Sequence, residues 1–179
     1  MQTQSFVDAH NPQWSAMALA LTKEYFLWMN GEFKKTCQFS IEDLVGMSLD
    51  AYILSAMEVI SPKNQPNSVF QLLISNNQPV AMGGLRPLPS SHGEVVRIYT
   101  PPQHRGHGFG RAMLEHIIQQ AKDFGFPALN LDTGIFMKEA QSMYKAHGFI
   151  PCEAYEGAEP PPQLRPYWLY MQLDLERIN

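Results

Sequence analysis

Cysteine is scarce in this chain of 179 residues: Cys37 and Cys152 stand far apart and form no spaced motif. That scarcity excludes a disulfide-stapled scaffold and a cysteine-built metal cluster, and the two side chains read as reduced thiols. Charge is also thin, at 17% of residues, with a net of −4. A chain-wide attraction to nucleic acid or to an anionic membrane surface is thereby excluded, since both need a broad excess of Lys and Arg. No apolar run approaches the ~18–20 residues of a membrane span. The opening residues, MQTQSFVDAHNP, have neither the basic start nor the apolar centre of a secretory signal, so a cytoplasmic protein is expected. The glycines, 12 in number, show no period, which excludes a fibrous repeat. What is present is apolar: 45% hydrophobic residues are too many for a disordered chain. A chain of this length buries roughly 70% of its unfolded surface and is read as one domain, residues 1–179.

The hydrophobic period sets the elements. Trp14, Met17, Ala18, Leu21, Tyr25 and Trp28 fall three or four apart, predicting a helix over 12–30 that stops at Gly31. Ser40 is a predicted cap for a second helix with Ile41, Leu44 and Val45 on its apolar side. Residues 61–68 are loop by composition. Val69–Ile74 and Pro79–Leu85 flank Asn76-Asn77 and predict a hairpin. Glu94–Thr100 is a β-branched run stopped by Pro101-Pro102. A helix over 110–124 buries Met113, Leu114, Ile117, Ile118, Ala121 and Phe124, and Gly125 ends it. A strand at 128–133, a helix at 138–147, a short strand at 149–152, a proline-rich loop at 160–166 and a strand at 167–175 complete the chain. This order describes a mixed α/β or α+β domain around one sheet.

Glycine, sparse overall, is locally dense. Gly106, Gly108 and Gly110 lie between the 94–100 strand and the 110–124 helix, beside His104, Arg105, His107 and Arg111. A helix N-terminus leaves about four NH groups without partners and carries roughly half a positive charge. Glycines let a ligand approach the backbone, and the arginines add donors matched to phosphate. The pattern predicts a phosphate or pyrophosphate cradle; its ordinary alternative is a plain glycine-rich turn. No lysine follows the glycines, which excludes a nucleotide P-loop. The dinucleotide pattern GxGxxG fails in both registers, with Arg111 or Met113 where the third glycine belongs. Asp132 mimics the ribose-binding acid of that pattern, so a dinucleotide-binding oxidoreductase stays as a lesser alternative. His104 and His107 are three apart, but no further ligand completes a set at recognisable spacing, and no metal is expected.

The run EVVRIYTPPQHRGHGFGRAML resembles the core motif of the GNAT superfamily of acyl-CoA-dependent N-acyltransferases. That motif is a strand, P-x-x, then R-x-x-G-x-G/A, here Pro102-Gln103-His104 followed by Arg105-Gly106-His107-Gly108-Phe109-Gly110. Downstream, the superfamily's A-x-x-x-Y-x-x-x-G-F is matched by Ala140, Tyr144, Gly148 and Phe149. The resemblance covers about residues 69–152, and the element order fits the GNAT-like fold, a mixed, mostly antiparallel sheet flanked by helices. It implies acetyl-CoA (CoA) as cofactor, lying in a split between the strands 94–100 and 128–133. Backbone groups of Ile98, Tyr99 and Thr100 would pair with its pantetheine arm. NH groups across Arg105, Gly106, His107, Gly108, Phe109, Gly110 and Arg111 would hold its pyrophosphate. Met137 and Ala140 would flank it, although Met137 stands where the superfamily often has an asparagine and cannot donate a hydrogen bond. The implied activity is an acetyl-CoA-dependent N-acetyltransferase acting on a primary amine of a small molecule or peptide, with a homodimer as the implied assembly. A CoA-binding sensor or interaction module without chemistry is the alternative.

Acyl transfer to an amine needs the amine to lose a proton and the thiolate to leave. In resembling members the tyrosine of Y-x-x-x-G-F protonates the departing sulfur, and that position is Tyr144; the alternative is a core aromatic. For the base, Glu94 starts the central strand and shares a face with Val96, Ile98 and Thr100 by period two. Its alternative is an exposed residue at a strand start, and His92 is a second candidate. Arg86 and Arg97 are read as paired surface arginines or as contacts for a substrate carboxylate.

Overall fold

The computed structural model describes residues 4–60 and 65–176. A seven-stranded sheet runs through it. Its strands are β1 (Gln4–Asp8), β2 (Val69–Ser75), β3 (Gln78–Pro87), β4 (Gly93–Tyr99), β5 (Ala128–Gly134), β6 (Ile150–Cys152) and β7 (Trp168–Asp174), and their spatial order is β1-β2-β3-β4-β5-β7-β6. Neighbours are antiparallel except β4 and β5, which are parallel. The mixed, mostly antiparallel sheet expected from the sequence is therefore the one observed. A dinucleotide-binding fold is ruled out, because it needs a doubly wound, mostly parallel sheet. Edge strand β1 was not anticipated: five residues with two half-buried positions carry too little hydrophobic alternation to mark a strand.

Helix α1 spans Ser15–Cys37 and runs straight through Gly31, where a stop was expected. The reason lies beyond the glycine. Phe33 is fully buried against Phe136, Tyr167 and Trp168. A glycine inside a helix costs about 1 kcal/mol, whereas burying one phenylalanine returns about 1.5–3 kcal/mol. The buried stripe also turns: Ala18, Leu21, Phe26, Met29 and Phe33 face inward, while Met17 is exposed. Ser40 caps α2 (Ile41–Val45) as expected, through a reciprocal pair of bonds with Asp43: Asp43 N–H donates to Ser40 Oγ at 3.1 Å and Ser40 N–H to Asp43 Oδ2 at 2.8 Å. Gly46, in the left-handed region, ends α2, and a further helix that was not anticipated, α3, follows at Leu49–Ile60. The loop expected at 61–68 falls partly outside the described residues.

Asn76 and Asn77 both take positive φ, joining β2 to β3 as the hairpin pattern predicts. Helix α4 (Phe109–Asp123) buries Met113, Leu114, Ile117 and Ala121 on the sheet. Helix α5 (Lys138–Ala146) covers the same face, where Tyr144 and Phe149 join that core. Helices α1 to α3 pack on the opposite face. No helix among the described residues is long and apolar enough to cross a membrane.

Candidate active site

Strands β4 and β5 begin as a parallel pair and then part. Their ladder holds only at Gly93–Leu129 and Glu94–Asn130. A β-bulge prises β4 away: its register against β3 shifts between Met82 and Gly84, and Arg97 adopts a φ of 53°. A long side chain in this left-handed region is strained, and the surrounding packing must hold it there. The bulge also reverses the strand's parity. The expected single face of Glu94, Val96, Ile98 and Thr100 is broken at Arg97. Glu94 bonds to Arg86 and Tyr155, and Arg97 lies over the Phe26 ring of α1 at 4.9 Å. Ile98 instead packs among the residues under α4.

A cavity of about 620 Å³ opens where the strands separate. Its β4 wall is Val95 and Arg97 through Thr100, and its β5 wall is Asp132 and Thr133. The loop from His104 to Arg111 closes one end, with α5 residues Ala140, Met143 and Tyr144 alongside and α1 residues Tyr25 and Trp28 above. Of the expected cofactor contacts, Ile98, Tyr99, Thr100, Arg105, Gly106, Gly108, Phe109, Gly110, Arg111, Met137 and Ala140 all border this space. His107 does not. Its exposed ring stacks on Phe109, and Nδ1 sits 2.9 Å from the Arg105 carbonyl, so the side chain pins the loop's own backbone.

The loop is built as an anion cradle. Gly108 is the N-terminal cap of α4 at φ 80°, with no side-chain cap bond and no acidic residue in the first turn. A side chain there would force the left-handed region at a cost of about 1–2 kcal/mol. Arg111 points outward and bonds Glu115 at 2.8 Å. Arg105 leans in: its guanidinium lies 5.0 Å from the Trp28 ring, and Nε donates to the Thr100 carbonyl at 3.1 Å. Two buried hydroxyls, Thr100 Oγ1 and Thr133 Oγ1, have no hydrogen-bond partner among the described residues. They stand on the two flanks of the split, one on each wall. The β4 edge beyond Glu94 has no β5 ladder partner and leaves room for an extended polar chain, and the Gly108 cap suits its phosphate end, so the residues present fit an acyl-CoA.

The ionisable groups divide by exposure to the cavity. Tyr144 borders it, and burial, then the Asp132 carboxylate, push its phenol above the ordinary tyrosine range. Glu94 does not border it. Its side chain has no exposure; Oε2 accepts from Arg86 and Oε1 accepts from the Tyr155 hydroxyl at 2.7 Å. A carboxylate so enclosed does not touch an amine in the cavity, so of the two routes open to Glu94 as a base, direct or through water, the geometry favours the one through water. The surface alternative for Glu94 fails. His92 is turned to Asn130, its Nδ1 2.9 Å from the amide oxygen. Arg86 also donates to the Gly157 carbonyl, and Arg97 donates to Glu159 at 3.0 Å; both arginines are buried inside, not displayed on the surface.

Two participants were not expected from the sequence. Tyr25 and Trp28 read as core positions, because a helical stripe does not say which part of it faces a gap. Asp132 reads from the sequence both as a mimic of a ribose-binding acid and, with Thr133, as a polar group at the strand end, and both line the cavity. Their place at the end of a strand before a helix was the available signal.

A sheet split after one short parallel ladder, with a glycine-capped helix N-terminus at its mouth, defines a protein that handles acyl-CoA. The chain belongs to the acetyltransferase (GNAT) family, whose model matches residues 22–149. It is 27% identical over 131 residues to the uncharacterized N-acetyltransferase YsnE of Bacillus subtilis, covering 64% of this chain and 87% of that one. Its fold is shared with a GNAT-family acetyltransferase of Staphylococcus aureus, at a TM-score of 0.69 and 17% identity over 97% of this chain and 99% of the other. A Bacillus anthracis structure in complex with acetyl coenzyme A matches at a TM-score of 0.53 and 18% identity, over 62% of this chain and 65% of that one. Acetyl-CoA is the acyl donor of the family, and acetyl transfer is its general activity.

Proposed function

We propose that the chain transfers the acetyl group of acetyl-CoA to a primary amine of a small molecule or peptide, by direct attack, with Tyr144 as general acid. The observation that carries this reading is a phenol on the cavity wall whose surroundings hold it protonated. Acetyl-CoA, the acyl-donor substrate, supplies an activated thioester. The chain's own groups do the rest. Backbone edges of Ile98 to Thr100, without a β5 ladder partner, orient an extended donor. The α4 N-terminus and Arg105 neutralise its phosphate end. The Tyr144 hydroxyl gives its proton to the departing sulfur.

The test is release of free thiol from acetyl-CoA in the presence of a panel of primary amines: ethanolamine, putrescine, tyramine and alanyl-glycine. The expected result is amine-dependent release. Tight CoA binding with no dependence on any amine would instead favour a CoA-binding module without chemistry.

A further inference from the structure

With Glu94 sealed from direct contact, a group that takes the acceptor's proton directly must come from the cavity wall. We infer that Asp132 is that catalytic base: its carboxylate receives the acceptor's ammonium group in the cavity and removes one proton. This rests on the transferase reading above.

Three observations carry it. First, Asp132 opens onto the cavity from the C-terminal half of β5, at the split where β4 has diverged, whereas the cavity's other carboxylates, Glu32 and Glu139, come from α1 and α5. Second, it shares that cavity with Tyr144, and its charge acts on the Tyr144 phenol. Asp132 reaches the cavity from β5 and Tyr144 from α5, so a base and an acid can meet the substrate from two sides, as amine acylation needs. Third, its surroundings suit a base for a cation. Two further carboxylates lie around it, Glu94 paired with Arg86 and Glu159 paired with Arg97. Burial and these two carboxylates hold the Asp132 carboxyl well above the usual aspartate range, against the pull of Arg86. A base with a raised pKa takes an amine proton more readily than an ordinary aspartate.

The step balances. One ammonium N–H bond breaks, its electron pair stays on nitrogen, and the proton passes to Asp132. The nitrogen pair forms the C–N bond to the thioester carbon as the C–S bond breaks. The sulfur takes the Tyr144 proton, the second ammonium proton returns to the phenolate through solvent, and Asp132 releases its own to bulk. The products are the amide, free CoA thiol and one proton.

The groups facing Asp132 decide how a pH profile is read. The charged ones are Glu94 on β4, Arg86 on β3 and Glu159 in the loop before β7. Arg97 on β4 acts on the same cluster through Tyr25. The phenols are Tyr144 on α5, Tyr25 on α1, Tyr52 on α3, Tyr155 in the loop and Tyr170 on β7, and all are pushed upward. They keep their protons through neutral pH, so Glu94 is the group to separate from Asp132.

The experiment has two arms. In the free protein, with aspartate carboxyl carbons labelled with carbon-13, one NMR signal should titrate well above the ordinary aspartate range, shift on adding putrescine or tyramine, and vanish in Asp132→Asn. In turnover with the fastest amine of the panel, Asp132→Asn should lower kcat/KM by about 10²–10⁴-fold at unchanged CoA affinity. Asp132→Glu should restore part of the rate with a displaced acidic limb. Glu94→Gln removes a like charge, so it should move that limb to lower pH without abolishing it. An Asp132 carboxyl that titrates normally, or an Asp132→Asn variant keeping its rate and its acidic limb, overturns the assignment. No thiol release with any amine, while CoA still binds, overturns the transferase reading itself.

Discussion

Tyr144 and Asp132 handle protons because they are partly withdrawn from water, and each pays a detectable consequence. A phenol acts as an acid while it keeps its proton. Burial raises that of Tyr144, so turnover should hold as pH climbs through the ordinary tyrosine range of about 10. Tyr144→Phe should lower kcat by about 10²–10⁴-fold and leave calorimetric CoA affinity nearly untouched; an unchanged kcat removes the side chain from the chemistry. For Asp132 the sign runs through stability. Its folded pKa is raised, so the native state holds a proton that the unfolded chain has already lost. Stability contributed by the protonated form is complete below the unfolded value near 3.9 and is lost as pH rises through the raised folded value. Asp132→Asn should therefore melt higher than the parent at about pH 8, and the two should converge near about pH 4, in thermal unfolding at both pH values.

At the scale of elements, the cavity exists because β4 is held by packing and bulges at Arg97. Helix α4 lies close enough on the sheet that a Cβ at Gly83 would come within 2.6 Å of Ile98 and 2.7 Å of Met113. Neither contact is tolerable without movement of a packed side chain. Gly83→Ala should cost about 1–3 kcal/mol, read as a lower urea midpoint, and an unchanged midpoint would show that α4 lifts freely. The same contact places Ile98 under α4, on the far side of the parity change at Arg97. Helix α1 adds the other wall. Its Trp28 sits under the Arg105 guanidinium, which ties the acceptor side of the cavity to the phosphate loop. Trp28→Ala should weaken CoA binding in calorimetry through this loop.

For the whole molecule, charge is divided. The net charge is −4, yet Arg105 and Arg111 flank the glycine cradle. CoA affinity should fall as salt rises from about 0.05 to 0.5 M, because the Debye length shrinks to a few ångströms. Arg111→Ala should weaken CoA binding while leaving the melting temperature within about 1 °C, since its exposed pair with Glu115 adds little to stability. Much of this was legible beforehand. Helix α4, the hairpin at Asn76-Asn77, the Ser40 cap and the glycine cradle rest on local rules: period, turn chemistry and NH groups at a helix start. The paired motifs around Arg105 and Tyr144 carried the family and the acyl donor. What the chain's local pattern left open depended on contacts between distant residues. Burial of Phe33 carried α1 past Gly31. A bulge at Arg97 undid the period-two face of β4. Tyr155 and Arg86, separated by some seventy residues, enclosed Glu94, and the parting of β4 from β5 left Asp132 facing the cavity. A local sequence rule records which side a residue takes in a regular element; only the assembled sheet decides where that element stops being regular, and in this protein the candidate chemistry sits at that break.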